Sequence, residues 1–208
     1  MRRTGKMTFL ETILGEILQI FKREGIEANS EADIIKKLDI RSSTFHELFA
    51  DKADMVRQVT IFDIEQQKQE QARMLAKAVN PVEEIMMLLQ DGIQKMKEIN
   101  PVYILDMQRY PEAWQLSMEH VSTNNQIVNA EILNRGILEG YFRRDINLQL
   151  VTKIILEQFL MMINPAVFPP QKYNLSEVFR SIYLYYVRGI CTDAGGKMAE
   201  EYFSRNNL

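Results

Sequence analysis

Cysteine is almost missing from this 208-residue chain: Cys191 stands alone. A single thiol excludes a disulfide framework within the chain and a zinc site of the finger type, which draws on several Cys and His ligands. Histidine is nearly as scarce. His46 and His120 lie far apart, and neither has a metal-ligating partner three or four positions away. No glycine-rich phosphate loop, nucleophile elbow or HExxH pattern occurs, so the chemistries those motifs serve find no footing. Long apolar runs are missing too: none reaches the roughly 20 residues that a bilayer-spanning helix needs. The N-terminus has positive charge but not the apolar stretch and small-residue cleavage site of a secretory leader. Positive charge is not in excess, since the formal net charge is −3. Together these absences lead us to expect a soluble cytoplasmic protein that is not an enzyme, holds no metal or cofactor and engages no membrane.

What the chain does have is helix. A hydrophobic content of 46% against 25% charged suits a globular protein with a proper core. Leu10, Ile13, Leu14, Ile17, Leu18 and Phe21 recur at helical spacing and predict a helix from about Thr8 to Glu24, ended by Gly25. A longer helix is expected from Lys52 to about Val79. Met55, Val56, Val59 and Phe62 give its first turns an inward face, while EQQKQEQARMLAKA is polar and rich in helix formers, as a connector would be. Asn80-Pro81 stops it, because proline disfavours helix in the residue before it and opens helices well. Pro81 opens a helix to about Glu98, Asn100-Pro101 another to Tyr110, and a long helix ends near Gly140. Asn147 caps a helix to about Ile163. After the proline-bearing loop NPAVFPPQKYN, a final helix runs from Ser176 to about Cys191, and Gly195-Gly196 reads as the start of a polar tail. Nothing alternates as a strand does, and no internal repeat occurs. The expected fold class is all-α.

The sharpest local pattern is Ser30–Lys52, SEADIIKKLDIRSSTFHELFADK. Ser30 and Asp33 have the spacing of a capping box, and Ile34, Ile35 and Leu38 give the short helix behind them one apolar edge. Beyond Asp39-Ile40, Ser42 is the candidate cap of a second helix, Ser43 to about Leu48. Phe45, Leu48 and Phe49 fall on one side of it; Arg41, Ser42, Thr44 and His46 are left for the other. Two short helices joined by such a turn describe a helix-turn-helix, whose second helix is sized for the DNA major groove.

The segment from Ile17 to Val59 resembles the N-terminal domain of tetracycline-repressor-type (TetR family) transcription factors. The matching points are Phe21, Gly25, Ile34, Leu38, Ile40, Thr44, Phe45, Phe49, Lys52 and Met55. The chain departs from the family pattern at Ile35, Asp39, Ser43 and His46, where Ala, Gly, Gly or Pro, and Tyr are usual. The resemblance implies a three-helix DNA-reading head over residues 1–60 and a helical ligand-binding and dimerisation bundle over 61–208. Its DNA-contacting candidates are Ser30, Arg41, Ser42, Ser43, Thr44, His46 and Lys52, with a palindromic double-stranded operator as partner. Hydroxyls of Ser43 and Thr44 suit phosphate or base edges, and Arg41 suits guanine or phosphate. Lys52 would add its charge to the N-terminal dipole of its own helix. Residues 1–60 carry ten basic against ten acidic side chains, so charge placement must do what net charge does not. Arg2, Arg3 and Lys6 form a basic arm, and Arg41 and Lys52 flank the second helix.

Leu175, Val178, Phe179, Ile182, Tyr183, Tyr186, Val187 and Ile190 give the final helix more apolar surface than one neighbour can cover. It is either a central core helix or half of a dimer contact. The resemblance implies the latter: the last two helices would pair with a second copy through Val151, Ile155, Phe179, Ile182, Tyr183 and Tyr186, and a two-fold dimer suits a palindromic site. Twelve methionines are many for this length, and methionine suits both core filling and an adaptable apolar pocket. The resemblance implies the pocket, with Met86, Tyr103, Met107, Trp114, Met118, Phe159 and Met162 around a small, largely apolar effector. The leading expectation is therefore a homodimeric transcriptional regulator, a repressor by type, under effector control. Its rival is a helical dimer with a degenerate head, acting through protein partners or as an apolar-ligand carrier; it rests on Asp39, His46 and the neutral charge of the head.

Overall fold

Most helices start where a short polar side chain can take an otherwise orphaned N–H. The computed structural model describes residues 8–206, so the basic arm of Arg2, Arg3 and Lys6 lies outside the described residues. Thr8 caps α1 (Phe9–Glu24) in a reciprocal box with Glu11, and Gly25 ends it at a φ of 90°. Ser30 and Asp33 form the expected box at α2 (Glu31–Lys37). There follow α3 (Ser42–Leu48), α4 (Lys52–Leu75), α5 (Pro81–Glu98), α6 (Pro101–Met107), α7 (Pro111–Glu119) and α8 (Gln126–Leu138). Three more complete the order: α9 (Leu148–Met162), α10 (Leu175–Ile190) and α11 (Asp193–Asn206). Asn100, Asn147 and Asn174 cap α6, α9 and α10 through their side-chain oxygens. The fold is all-α; among the described residues the extended backbone pairs at one isolated bridge, Phe142 with Cys191.

Several expected boundaries move. α3 starts one residue early: Phe45 N–H already donates to the Arg41 carbonyl, so Arg41 is the cap position and Ser42 is helical, with no side-chain cap bond. α4 and α6 stop before Val79 and Tyr110, because the residues beyond their ends tighten into bonds spanning three residues, such as Ala78 N–H to Leu75 and Tyr110 N–H to Met107. The long helix expected to end near Gly140 is α7 and α8 joined through a π-helical stretch, His120–Asn125. Gly195-Gly196 opens no polar tail. The pair sits inside α11, whose Ala199 and Tyr202 are buried. Gly195 is there for closeness rather than flexibility: a Cβ on it would stand 2.2 Å from the Tyr141 carbonyl oxygen.

Contacts divide the chain into two units. The first holds residues up to Lys68 together with Ile99–Met118; the second holds Gln69–Glu98 and Glu119–Leu208. The boundary expected at residue 60 thus gives way to a head of two chain segments. The physical reason is a shared core. Tyr103, Met107 and Ala113 are buried with Ile17, Phe21, Ile26, Ile34, Phe45, Phe49, Met55 and Val59, and α6 lies against α1. In the second unit α5 packs on α8, α10 and α11, while α9 packs on α8 and α10. Ile85, Met86, Leu89, Ile132, Leu133, Phe142 and Met162 are buried there.

Candidate nucleic-acid interface

α3 is anchored from below by two rings. Phe45 and Phe49 are buried with centroids 5.2 Å apart, and Leu48 is half-buried beside them. That fixes what faces outward. Arg41, Ser42, Ser43, His46 and Glu47 are exposed, and Thr44 is half-buried. At about 100° per residue, Ser43 and Glu47 sit one turn apart near the middle of this face, with Ser42 and His46 on one flank and Thr44 on the other. The His46 ring stands edge-on to Phe45 at 5.4 Å. The turn from α2 is made by Asp39 at a φ of 50°, the one non-glycine residue with positive φ among those described. Aspartate enters this left-handed region less readily than glycine but more readily than most residues, so the turn forms without glycine.

Two candidates have other engagements. The Ser30 hydroxyl donates to Asp33 Oδ2 at 2.5 Å and accepts from the Asp33 N–H at 3.2 Å, so it serves its own helix. Lys52 Nζ lies 3.5 Å from Glu27 Oε1, in a cluster where Tyr110 donates its hydroxyl to Glu27 at 2.6 Å and Arg109 stands 3.5 Å away. The hydrogen bond from Tyr110, more than the charges of Lys52 and Arg109, holds the Glu27 carboxyl below the usual range against the opposing effect of desolvation. At the start of α4, Asp51 accepts the Asp54 N–H and Asp54 accepts the Ala50 N–H, at 2.8 and 3.1 Å. The helix N-terminus expected to favour phosphate therefore already holds two carboxylates of the chain. Lys52 remains as a cation beside it.

The sequence reading missed what mounts the helix-turn-helix. Asp106 of α6 is only 4% exposed, and its Oδ2 accepts both the Ile26 and the Glu27 N–H at 2.9 Å. Asn100 donates its backbone N–H to the Lys22 carbonyl at 2.8 Å and its amide to the Arg23 carbonyl at 3.1 Å. α6 thus fastens both the open end of α1 and the turn into α2. At Gly25 a Cβ would come within 2.9 Å of Asp106 Oδ2 and 3.0 Å of Val102. Partners separated by 80 positions leave no trace in local periodicity.

No family model matches the chain, and no curated protein matches it significantly. Solved structures do. A TetR-family regulator from Agrobacterium tumefaciens is 16% identical over 88% of this chain and 97% of its own, with a TM-score of 0.69. A putative transcriptional regulator from Saccharomonospora viridis, solved in complex with choline, is 13% identical over 88% and 97%, with a TM-score of 0.70. The fatty acid degradation regulator FadR from Bacillus halodurans is 16% identical over 88% and 96%, with a TM-score of 0.65. The chain has the TetR-family fold.

Within this TetR-type fold the seven expected pocket residues are divided between the two units. Tyr103 and Met107 are buried in the head core with Trp114 packed against it, and Met118 belongs to the same unit. Burial pushes the Tyr103 hydroxyl far above its usual range. Met86 and Met162 are buried in the second unit, with Phe159 half-buried. The dimer candidates also divide. Ile155 and Phe179 are buried inside their own unit, so they offer no surface to a second copy; Val151, Ile182, Tyr183 and Tyr186 are half-buried. Phe179 stacks on Tyr183 at 4.4 Å, and burial pushes the Tyr183 hydroxyl up to about 12. The outward apolar side chains are instead Leu150, Ile154 and Met161 on α9, exposed by 58, 53 and 42%, and Tyr185 on α10 at 70%. α10 is followed by α11, so α9 and α10 are not the last two helices. No described helix is long and apolar enough to cross a membrane, and the described residues hold no metal-sized cluster of His, Cys, Asp and Glu.

Proposed function

We propose that this chain is a dimeric, DNA-binding transcriptional regulator of the repressor type whose operator affinity is set by a small molecule held in its second unit. The observation that carries the reading is the outward face of α3: Arg41, Ser42, Ser43 and His46 stand exposed on a helix whose opposite side is locked by Phe45 and Phe49. A short, rigidly seated helix presenting hydroxyl, guanidinium and imidazole donors is the tool that major-groove reading needs. The shared fold with transcriptional regulators supports it. Dimerisation follows from the need to read two half-sites, and Leu150, Ile154 and Met161 of α9 with Tyr185 of α10 supply the apolar face; Val178 and Ile182 border it, and Gly189 opens onto free space. For the effector, the Tyr186 hydroxyl is enclosed yet meets no hydrogen-bond partner among the described residues. A bound molecule with an acceptor group would satisfy it, and the complex of the S. viridis regulator with choline gives the size class. Such a ligand acts by its differential affinity for the DNA-competent and incompetent states.

The test is selection from random duplexes with the full chain, followed by a salt titration on the selected site. A consensus with two-fold symmetry and an affinity that falls steeply with salt is expected. No enrichment, or binding indifferent to salt, overturns the reading. A thermal-shift screen of small apolar molecules bearing an acceptor group should find stabilisers of wild type that lose their effect in Tyr186→Phe.

A further inference from the structure

Glu47 is absent from the sequence-based candidates, yet the structure puts it one turn from Ser43, near the centre of the outward face of α3. Its side chain is exposed, and no hydrogen bond or ion pair reaches its carboxylate among the described residues. On the helix itself Ser42, Ser43 and Thr44 are uncharged, Arg41 sits at the far end, and the neighbouring His46 stands edge-on to Phe45 with no bond to Glu47. The serines also lower the helix surface around it, which allows close approach to a groove floor.

A free carboxylate in that place can only accept hydrogen bonds. Phosphate oxygens are acceptors of like charge and repel it. Guanine offers N7 and O6, and thymine offers O4, all acceptors, so both leave the carboxylate desolvated and unpaired. Adenine offers the N6 donor but sets its N7 acceptor beside it. Cytosine offers the N4 donor without that neighbour. Resting on the DNA-binding reading above, we infer that Glu47 is a specificity-determining residue that selects cytosine at one position of each half-site.

The experiment selects duplexes from a randomised pool with wild type, Glu47→Ala and Glu47→Gln, then measures affinities on the wild-type consensus and its single-base variants. Wild type should hold one cytosine per half-site, with other bases there weaker by about tenfold. Glu47→Ala should lose that preference and keep the others. Glu47→Gln should turn the same position toward adenine, whose N6 and N7 match an amide. Retention of the wild-type consensus by both variants overturns the inference alone. So does a uniform rise in affinity across all sequences, which would make the carboxylate a mere repeller of phosphate. Failure of wild type to enrich any duplex removes the DNA-binding reading and this inference with it.

Discussion

A cation that meets phosphate and a cation that meets a base edge leave different marks when removed. Lys52→Ala should weaken binding to all sequences alike and lower the salt slope by about one unit. Arg41→Ala, if the side chain reaches guanine, should cost about 1–3 kcal/mol and relax one base position per half-site. Arg41→Ala should melt as wild type does, because its side chain is exposed, and Lys52→Ala should lose only a partly exposed ion pair with Glu27, less than about 1 kcal/mol. Fluorescence anisotropy at two salt concentrations separates the two behaviours, and wild-type affinity in both would remove α3 from the groove. Asp106 makes a different demand. Asp106→Ala strips two backbone N–H groups of their shared acceptor, and should cost about 2–4 kcal/mol in denaturant unfolding. Asp106→Asn keeps an acceptor oxygen and should cost about half as much; equal costs would mean that the bonds to Ile26 and Glu27 contribute little. Glu27 brings a pH dependence. Its carboxyl is held low chiefly by Tyr110, so it stabilises the fold above the ordinary carboxylate range and loses that contribution as pH falls through its depressed value. Tyr110→Phe should flatten the melting-temperature profile between about pH 5 and 3.

Elements defined by local chemistry could be read from the chain, and those defined by remote packing could not. The Ser30–Asp33 box, Gly25 as the end of α1, the asparagines before α5, α6 and α9, and the prolines that open α5 and α6 all act within a few residues, so their spacing carries the information. α11 shows the limit. Two adjacent glycines lower helix propensity by roughly 2 kcal/mol relative to alanine, which is why the stretch reads as a tail. Burial of Ala199 and Tyr202, and the Tyr202 hydroxyl on Gln90 at 2.8 Å, restore it. Propensity and packing can be set against each other at this site. Gly196 has open space where a Cβ would go, so Gly196→Ala should raise the melting temperature slightly; Gly195→Ala meets the Tyr141 carbonyl and should cost about 1–3 kcal/mol. The outward face of α3 is partly legible in the sequence, since Phe45 and Phe49 fix its orientation; Glu47 is not, because no local pattern sets one exposed acid apart from the others.

For the whole molecule, the proposed dimer would rest on the apolar faces of α9 and α10. Ile154→Glu with Tyr185→Glu puts charge into a contact that must be dry, and sedimentation should show monomers. Val79→Glu, at a site 85% exposed in the turn before α5, is the control and should leave the dimer intact. A double variant that remains dimeric at micromolar concentration moves the interface elsewhere. Phe179→Glu is no test of it, since that ring is already buried in its own unit and the chain would lose its fold. Deleting residues 1–60 is equally uninformative, because Tyr103, Met107 and Ala113 would lose the core they share.

The carboxylate that α6 lends to the turn before α2 has a consequence for anyone who recombines such proteins. Heads are the parts one would wish to exchange between regulators, and a crossover placed in the polar stretch of α4 looks safe. Here it would sever Asp106 from Ile26 and Glu27, and would bring a foreign turn against Val102 and Asp106, where a Cβ at position 25 has no room. The transferable cassette is therefore two pieces, residues 8–68 and 99–118, carried across together. Grafts that move both should keep the donor's operator preference and melt cooperatively, while single-crossover grafts should express poorly even when every helix in them is intact.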